Sequence, residues 1–498
     1  MKPTRPSPTA GLAPAGHCGR SRSGRIGSQA AGWLLASLLL VSCGGGGLGS
    51  GGTGAPLAGG SGTITGFGSI VVDGVAIDDR AARVQTEDPN GSLVAVSGEL
   101  GQRVDVDFDA NGVARSVRID AQLIGPVTGV QPLLGRFTVL GRTVQVNTAA
   151  TEGPATVLAG VSSVTSLTVG QWVEVHGVDG RTALTDLPLL QATRVRALAA
   201  PAPAVRVSGR VETVSGDGSR VTIGTLIADL RAALRVPAGA TVATGDRITL
   251  LARPQDVAGT AQAPLLTARV LRVLPPATVG ARVQLAGKVA SLTTERMSVD
   301  GVEVLLGTVA PTGDGSLAVG RYVRVDGTTL APGRVQATAV VVRSGGGSEG
   351  DVELKGTVLG VTPDGLGFRV RDTRVVLPAG ASVLRDCGSA GVVAGVFVEV
   401  KGVVAGEAVL ASRVECKLEP SDAVVEREGL AREVDTTART LRLASLADPQ
   451  GIRVQWGELT VFRDLQPTTD SLQGRRLEVE GIFRADGVLL ARRIKADD

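Results

Sequence analysis

One pattern recurs six times along the 498 residues and dictates what the chain is able to build: Gly-x-x-aliphatic-x-aliphatic, usually closed by x-Gly. It occurs as Gly101-Gln-Arg-Val104-Asp-Val106, Gly170-Gln-Trp-Val173-Glu-Val175-His-Gly177 and Gly245-Asp-Arg-Ile248-Thr-Leu250. It returns as Gly320-Arg-Tyr-Val323-Arg-Val325-Asp-Gly327, Gly395-Val-Phe-Val398-Glu-Val400-Lys-Gly402 and Gly474-Arg-Arg-Leu477-Glu-Val479-Glu-Gly481. Successive copies lie 69, 75, 75, 75 and 79 residues apart. A second anchor precedes each copy: Gly62-Thr-Ile64, Gly125-Pro-Val127, Gly209-Arg-Val211, Gly287-Lys-Val289, Gly356-Thr-Val358 and Gly429-Leu-Ala431. A third follows each, as in Ala192-Thr-Arg-Val195, Ala411-Ser-Arg-Val414 and Ala491-Arg-Arg-Ile494. Anchors in one order, repeated throughout, mark duplication of a single supersecondary unit.

The anchors alternate apolar and polar residues, the period of half-buried strands. Val398 and Val400 point to a core, Glu399 and Lys401 away from it. Asn111-Gly112 and Asp364-Gly365 suit tight hairpins. Only residues 228–236 suggest a turn or two of helix. A flat sheet this small leaves edges and a bare face, and closure removes both. The expectation is an all-β chain, a tandem array of about six small OB-like β-barrels behind a signal peptide and a Gly-rich tether. Expected boundaries are 1–42 signal peptide, 43–61 tether, and repeats at 62–121, 122–199, 205–275, 281–344, 351–418 and 424–497. Pro- or Gly-rich joints at 199–204, 275–276, 344–350 and 418–422 fit that division and predict a semi-extended, jointed rod. With 2% aromatic residues the chain lacks the girdles of a transmembrane barrel. A β-helix would repeat every rung, at about 20 residues.

The N-terminal segment reads as an address. Arg20, Arg22 and Arg25 precede a nine-residue apolar run, Trp33 to Val41. That run is too short to cross a bilayer and fits a secretion signal. The long basic region predicts a translation start downstream of Met1. Leu40-Val41-Ser42-Cys43 resembles a bacterial lipobox, and that resemblance implies that Cys43 carries a lipid. Gly44 after the Cys implies the outer membrane, facing periplasm or exterior. Residues 44–62 are mostly Gly and read as a flexible tether. Without residues 1–42 the chain has 46 basic and 48 acidic residues, so its near-neutral body implies no nucleic-acid partner.

The opening Gly62-Thr-Ile-Thr-Gly-Phe-Gly-Ser-Ile-Val-Val-Asp-Gly74, the Gly-x-x-Val-x-Val-x-Gly strand and the closing Ala-x-Arg-Val together resemble a repeated domain of unknown function, number 5666 in the domain-family series, of proteobacterial lipoproteins. The resemblance covers most of 62–497. It implies an exported, lipid-anchored array of small barrels and brings no catalytic residues.

Candidate chemistry is sparse. Cys387 and Cys416 form an even pair in an exported chain and are expected as a disulfide. A metal site on two Cys lacks its other ligands. Asp107-Phe-Asp109-Ala-Asn111-Gly112 mimics the start of a Ca²⁺ loop, but Arg118 stands where a Glu is needed, so a hairpin is expected. His176, the one His after residue 42, is expected to be exposed and idle. Gly66-Phe-Gly68-Ser is no dinucleotide loop. Trp172, Tyr322 and Phe397 share one slot, just before the inward aliphatic residue. That slot serves either packing between units or a glycan- or peptide-binding face. The resulting expectation is a non-enzymatic, outer-membrane-anchored spacer or binding array with no cofactor, no metal and no catalytic residue. An envelope glycan or protein is the expected partner besides the membrane. A hydrolase with an unrecognised site is the alternative from another class.

Overall fold

The computed structural model describes residues 57–498 apart from 110–111, 149–151, 181–188, 344–351, 380–381, 388–390, 418–423, 446–447, 485 and 498. In it the first and second anchors of every unit are locked together by two backbone hydrogen bonds. In the fourth unit Gly320 N–H donates to Val289 O at 2.8 Å, and Val289 N–H donates to Arg321 O at 2.9 Å. The same exchange joins Ile64 to Gly101 and Gln102, Val127 to Gly170 and Gln171, and Val211 to Gly245 and Asp246. It also joins Val358 to Gly395 and Val396, and Ala431 to Gly474 and Arg475. The motif glycine has a positive φ in all six copies, between 77° at Gly474 and 90° at Gly245. Only glycine adopts that conformation without steric cost, which accounts for its recurrence.

Each clamp starts the fourth strand of a small barrel. In the last unit the strands Val424–Asp435, Thr440–Ala444, Ile452–Arg463, Leu489–Ala496 and Arg476–Phe483 close in that spatial order. The third and fifth strands run parallel and the other neighbours antiparallel. The same circuit closes within Leu123–Ala197, Arg282–Arg343 and Val352–Lys417. The third unit keeps the order with its first and fifth strands each split in two. In the first unit the join after Val75–Ile77 is made by Ala114 N–H donating to Asp78 O at 3.0 Å. This strand order is that of an OB-like barrel.

The closing glycine of the motif has its own reason. The fourth strand bulges against the fifth between His176 and Gly177, Asp326 and Gly327, Lys401 and Gly402, and Glu480 and Gly481. A Cβ on Gly177 or Gly327 would lie 2.5 Å from the carbonyl oxygen of Gln191 or Gln336. A side chain there would push the two strands apart, so the bulge that bends the barrel wall needs glycine.

The units do not stand apart. The second and third share one hydrophobic core, from Leu123 to Leu271, and the first and fifth share another, from Ile64 to Cys416. The fourth and sixth have their own. Strands also cross between units. Leu57–Phe67 runs parallel to the first strand of the fourth unit, pairing Gly60 with Gln284, and touches that of the fifth at Phe67 and Leu354. Residues 54–498 form one body.

Three expectations are corrected here. Docked units replace the jointed rod, because the outward strand faces carry buried polar groups that find partners on neighbouring units. The joints at 344–350 and 418–422 lie outside the described residues. The tether ends earlier than expected: Leu57–Phe67 is already strand, since its glycines let two strands approach closely on either side. Residues 228–236 are not helical but fall across the strands Leu226–Asp229 and Leu234–Val236, whose partners are Leu265–Thr267 and Val270–Arg272.

Candidate functional site

The residue just before the inward aliphatic of each motif is Arg103, Trp172, Arg247, Tyr322, Phe397 or Arg476. It lies on the outer face of its barrel, and three of the six cross to another unit. Arg103 is 2% exposed. It donates to Ala286 O at 3.2 Å and stands 3.6 Å from Asp300 Oδ2, both in the fourth unit. Arg247 donates to Asp105 Oδ1 at 2.8 Å and to Asp120 Oδ2 at 3.4 Å. Tyr322 donates to Asp73 Oδ1 at 2.7 Å, while Asp73 Oδ2 accepts from Thr63 N–H at 2.9 Å.

Around Asp120 the seam between the first and third units is ionic. Arg206 pairs with Asp120 and lies 3.6 Å from Glu87, and Arg272 donates to Glu87 Oε1 at 2.9 Å. Burial alone would raise the pKa of Asp120, but Arg206 and Arg247 outweigh it and hold the carboxyl down to about 2. A buried charge is tolerated only with such pairing.

His176 is corrected from exposed to buried, at 1% exposure. Its strand position does face outward, but the first unit covers that face. Arg103 N–H donates to His176 Nδ1 at 3.3 Å, which leaves the ring proton on Nε2, 3.0 Å from Glu174 Oε1. Glu174 is pushed up by burial and brought down further, to about 2, by His176 and Arg196. The arrangement resembles a catalytic pair only in part, because His176 Nδ1 is taken by the first unit and Glu174 is also held by Arg196 of its own unit.

The aromatic slot is likewise dispersed. Tyr322 is corrected from a ligand-facing candidate to a buried contact, packed with Val178 and Ala286. Trp172 is half-buried against the core shared by the second and third units. Phe397 is half-buried at the start of its strand, between Thr357 and Lys417. Nothing gathers the three into one face. Sequence reading concentrated on the aromatics and passed over the arginines of the same slot. The signal was available in Arg103 and Arg247, which are cations at an outward position where Tyr322 also stands.

Cys387 and Cys416 are joined, with Cα atoms 4.8 Å apart. Around the Asp107–Gly112 segment, of which 110–111 lie outside the described residues, Phe108 pairs with Ala114 across a hairpin, Gly112 N–H donates to Asp109 O at 3.1 Å and Arg115 reaches Asp107 at 3.3 Å. Cys43 lies outside the described residues. Glu426, Glu428 and Glu478 cluster on the surface of the last unit, where Lys495 and Arg476 offset their charge.

A cavity of about 640 Å³ opens where the first, second and fifth units meet. It lies within the roughly 300–1,000 Å³ of small-molecule sites. Phe67, Ile70, Leu158 and Val409 form its buried wall. Arg369, Arg371 and Arg374, all exposed, stand on the hairpin at its outer side. Arg194, from the second unit, donates to Leu100 O at 2.9 Å and pairs with Glu99, while its Nε, also buried, has no partner among the described residues. The cavity exists only because the units dock, so no single repeat predicts it.

No curated protein matches the chain. The family model for a domain of unknown function (DUF5666) matches residues 124–183, 286–341 and 428–495, the second, fourth and sixth of the barrels just described, and the chain therefore carries tandem repeats of that domain.

Proposed function

We propose that the chain is a non-enzymatic binding protein of the bacterial cell envelope, anchored to the outer membrane by a lipid on Cys43, with its ligand site between repeats. The observation that carries this reading is the docking of Arg103, Arg247 and Tyr322 onto other units. A spacer has no use for buried interdomain charges, which are costly unless they fix a geometry. Docking of the same kind makes the cavity, where the Arg194–Glu99 pair joins the second unit to the first and a common core joins the first to the fifth. The residues that recur in every repeat are glycines and aliphatics, which serve the barrel and not a reaction.

Small-angle scattering on residues 54–498 tests the docking. A single body of that length has a radius of gyration of about 22 Å, whereas a rod of separate barrels reaches on the order of 150 Å end to end. A value near the first supports the reading, and rod-like scattering overturns it. Cys43→Ser expressed in a Gram-negative host tests the address: label from palmitate is expected in the parent chain and absent from the variant. Turnover in a hydrolase panel would remove the non-enzymatic part.

A further inference from the structure

We infer that the cavity between the first, second and fifth units takes an anionic single-chain amphiphile, an aliphatic carboxylate or phosphate with its tail inward and its head at the arginine hairpin. This rests on the binding-protein reading above and adds the class of ligand.

The polarity of the cavity is the first argument. Its buried wall is aliphatic and aromatic: Phe67 and Leu100 are 5% exposed, Ile70 4% and Val409 1%. Its outer side is charged. Val84, Val96, Ala159 and Val404, half-buried or exposed, add the open apolar surface that a hydrocarbon occupant would cover. An occupant with a polar head at one end matches both ends of the site.

The sign of the head follows from the charges. Arg194 is held by Glu99, and Arg369 lies 3.7 Å from Asp372. Glu407 accepts from Gly160 N–H. Among the described residues neither Arg371 nor Arg374 makes an ion pair, although Asp364 lies near enough to Arg374 to feel its charge and Asp79 also lines the cavity. Arg371 instead lies over the Phe67 ring, 5.4 Å from its centre. Arg369 and Arg374 are also direct cross-strand partners. Like charges directly opposite one another on an antiparallel pair destabilise it. An anion between them converts that repulsion into charge-assisted hydrogen bonds, for which guanidinium is well shaped.

The experiment is calorimetric titration of the mature chain with decanoate, and with decyl phosphate, decanol and inorganic phosphate in parallel. Decanoate and decyl phosphate are expected to bind, decanol and inorganic phosphate at least tenfold more weakly. Arg371→Glu with Arg374→Glu is expected to weaken decanoate at least tenfold, and Ser97→Trp, which fills the cavity from its rim, to abolish binding. All three positions are exposed, so folding is expected to survive, and circular dichroism verifies it. Failure of decanoate and decyl phosphate to bind, equal binding of decanol, or no effect of the arginine substitutions overturns the proposal. Tight binding of inorganic phosphate alone overturns the tail-inward part. If scattering reports one docked body while decanoate does not bind, this proposal fails and the binding-protein reading stands. Rod-like scattering removes both.

Discussion

Tyr322 donates its hydroxyl to Asp73 Oδ1 at 2.7 Å, joining the fourth unit to the first across 249 residues of sequence. Burial, with Asp73 adding to it, pushes the phenol far above its ordinary pKa. It therefore stays a donor at every pH the protein meets. Asp73 sits in the left-handed region at φ 47°, at the head of an Asp-Gly turn. The turn that ends a strand in one barrel thus presents the acceptor for another barrel. Tyr322→Phe leaves that buried carboxylate short of one partner, at a cost of about 1–3 kcal/mol. Urea unfolding of residues 54–498 should show the loss. An unchanged midpoint would mean that the contact does not form in solution.

The glycines of the motif make a paired prediction. Gly245 has φ 90° and open space around a built Cβ. Gly245→Ala should therefore cost only the backbone strain, about 1–2 kcal/mol. Gly327 has no such strain, but a Cβ there would collide with Gln336 O. Gly327→Ala should cost more, because backbone has to move and the bulge is lost. Thermal melting of the two variants side by side checks the order. A smaller loss for Gly327→Ala would contradict the bulge as the reason for that glycine.

The barrels were legible in the sequence and their docking was not, for a physical reason. A strand core imposes period two and a positive φ imposes glycine, so Val323, Val325 and Gly320 announce themselves. Docking is set by outward residues, which look the same whether solvent or another barrel meets them. Arg103 and Arg476 stand in the same slot. Arg103 is buried against the fourth unit, while Arg476 is exposed and pairs with Asp497 of its own unit. His176 was misjudged the same way, since alternation gives the face but not what covers it. The cavity follows from docking and was out of reach for the same reason. The disulfide was within reach, because an even Cys pair in a chain expected to be exported has few other uses.

Acid should loosen the docked units before it unfolds the barrels. Asp120 titrates at about 2 in the folded chain against an ordinary 3.8, and Glu174 at about 2 against 4.5. Both are lowered, so the folded state binds fewer protons than the unfolded state at intermediate pH. Their stabilisation is complete above the unfolded values and is lost as pH falls from about 5 toward 2. For buried Asp120 the loss is on the order of 2 kcal/mol. Melting temperature measured between pH 7 and pH 3 should fall in that window. Asp120→Asn should lower stability at pH 7, by leaving Arg206 only the more distant Glu87, and should flatten the slope. A slope as steep as the parent's would place the titrating group elsewhere.

The disulfide is expected to tie down more than its own loop. Cys416 is buried on the fifth strand of the fifth barrel, opposite Val398, and Cys387 follows Asp386 in the preceding loop. Asp386 is the partner of Arg463 in the last unit, with Nε donating to Oδ1 at 3.2 Å. Cross-linking across 29 residues stabilises the fold by about 3–4 kcal/mol in the chain-entropy account. Without the bond the loop regains its freedom, and Asp386 is no longer presented to Arg463. Cys387→Ala with Cys416→Ala should therefore lower the melting temperature and also free the last unit from the fifth. Arg463→Ala should free the last unit while leaving the stability of the fifth barrel nearly unchanged, since that ion pair is partly exposed. Limited proteolysis between residues 418 and 424 reads the coupling, with faster cleavage expected in both variants. Parent-like cleavage in the double alanine variant would confine the disulfide to its own barrel.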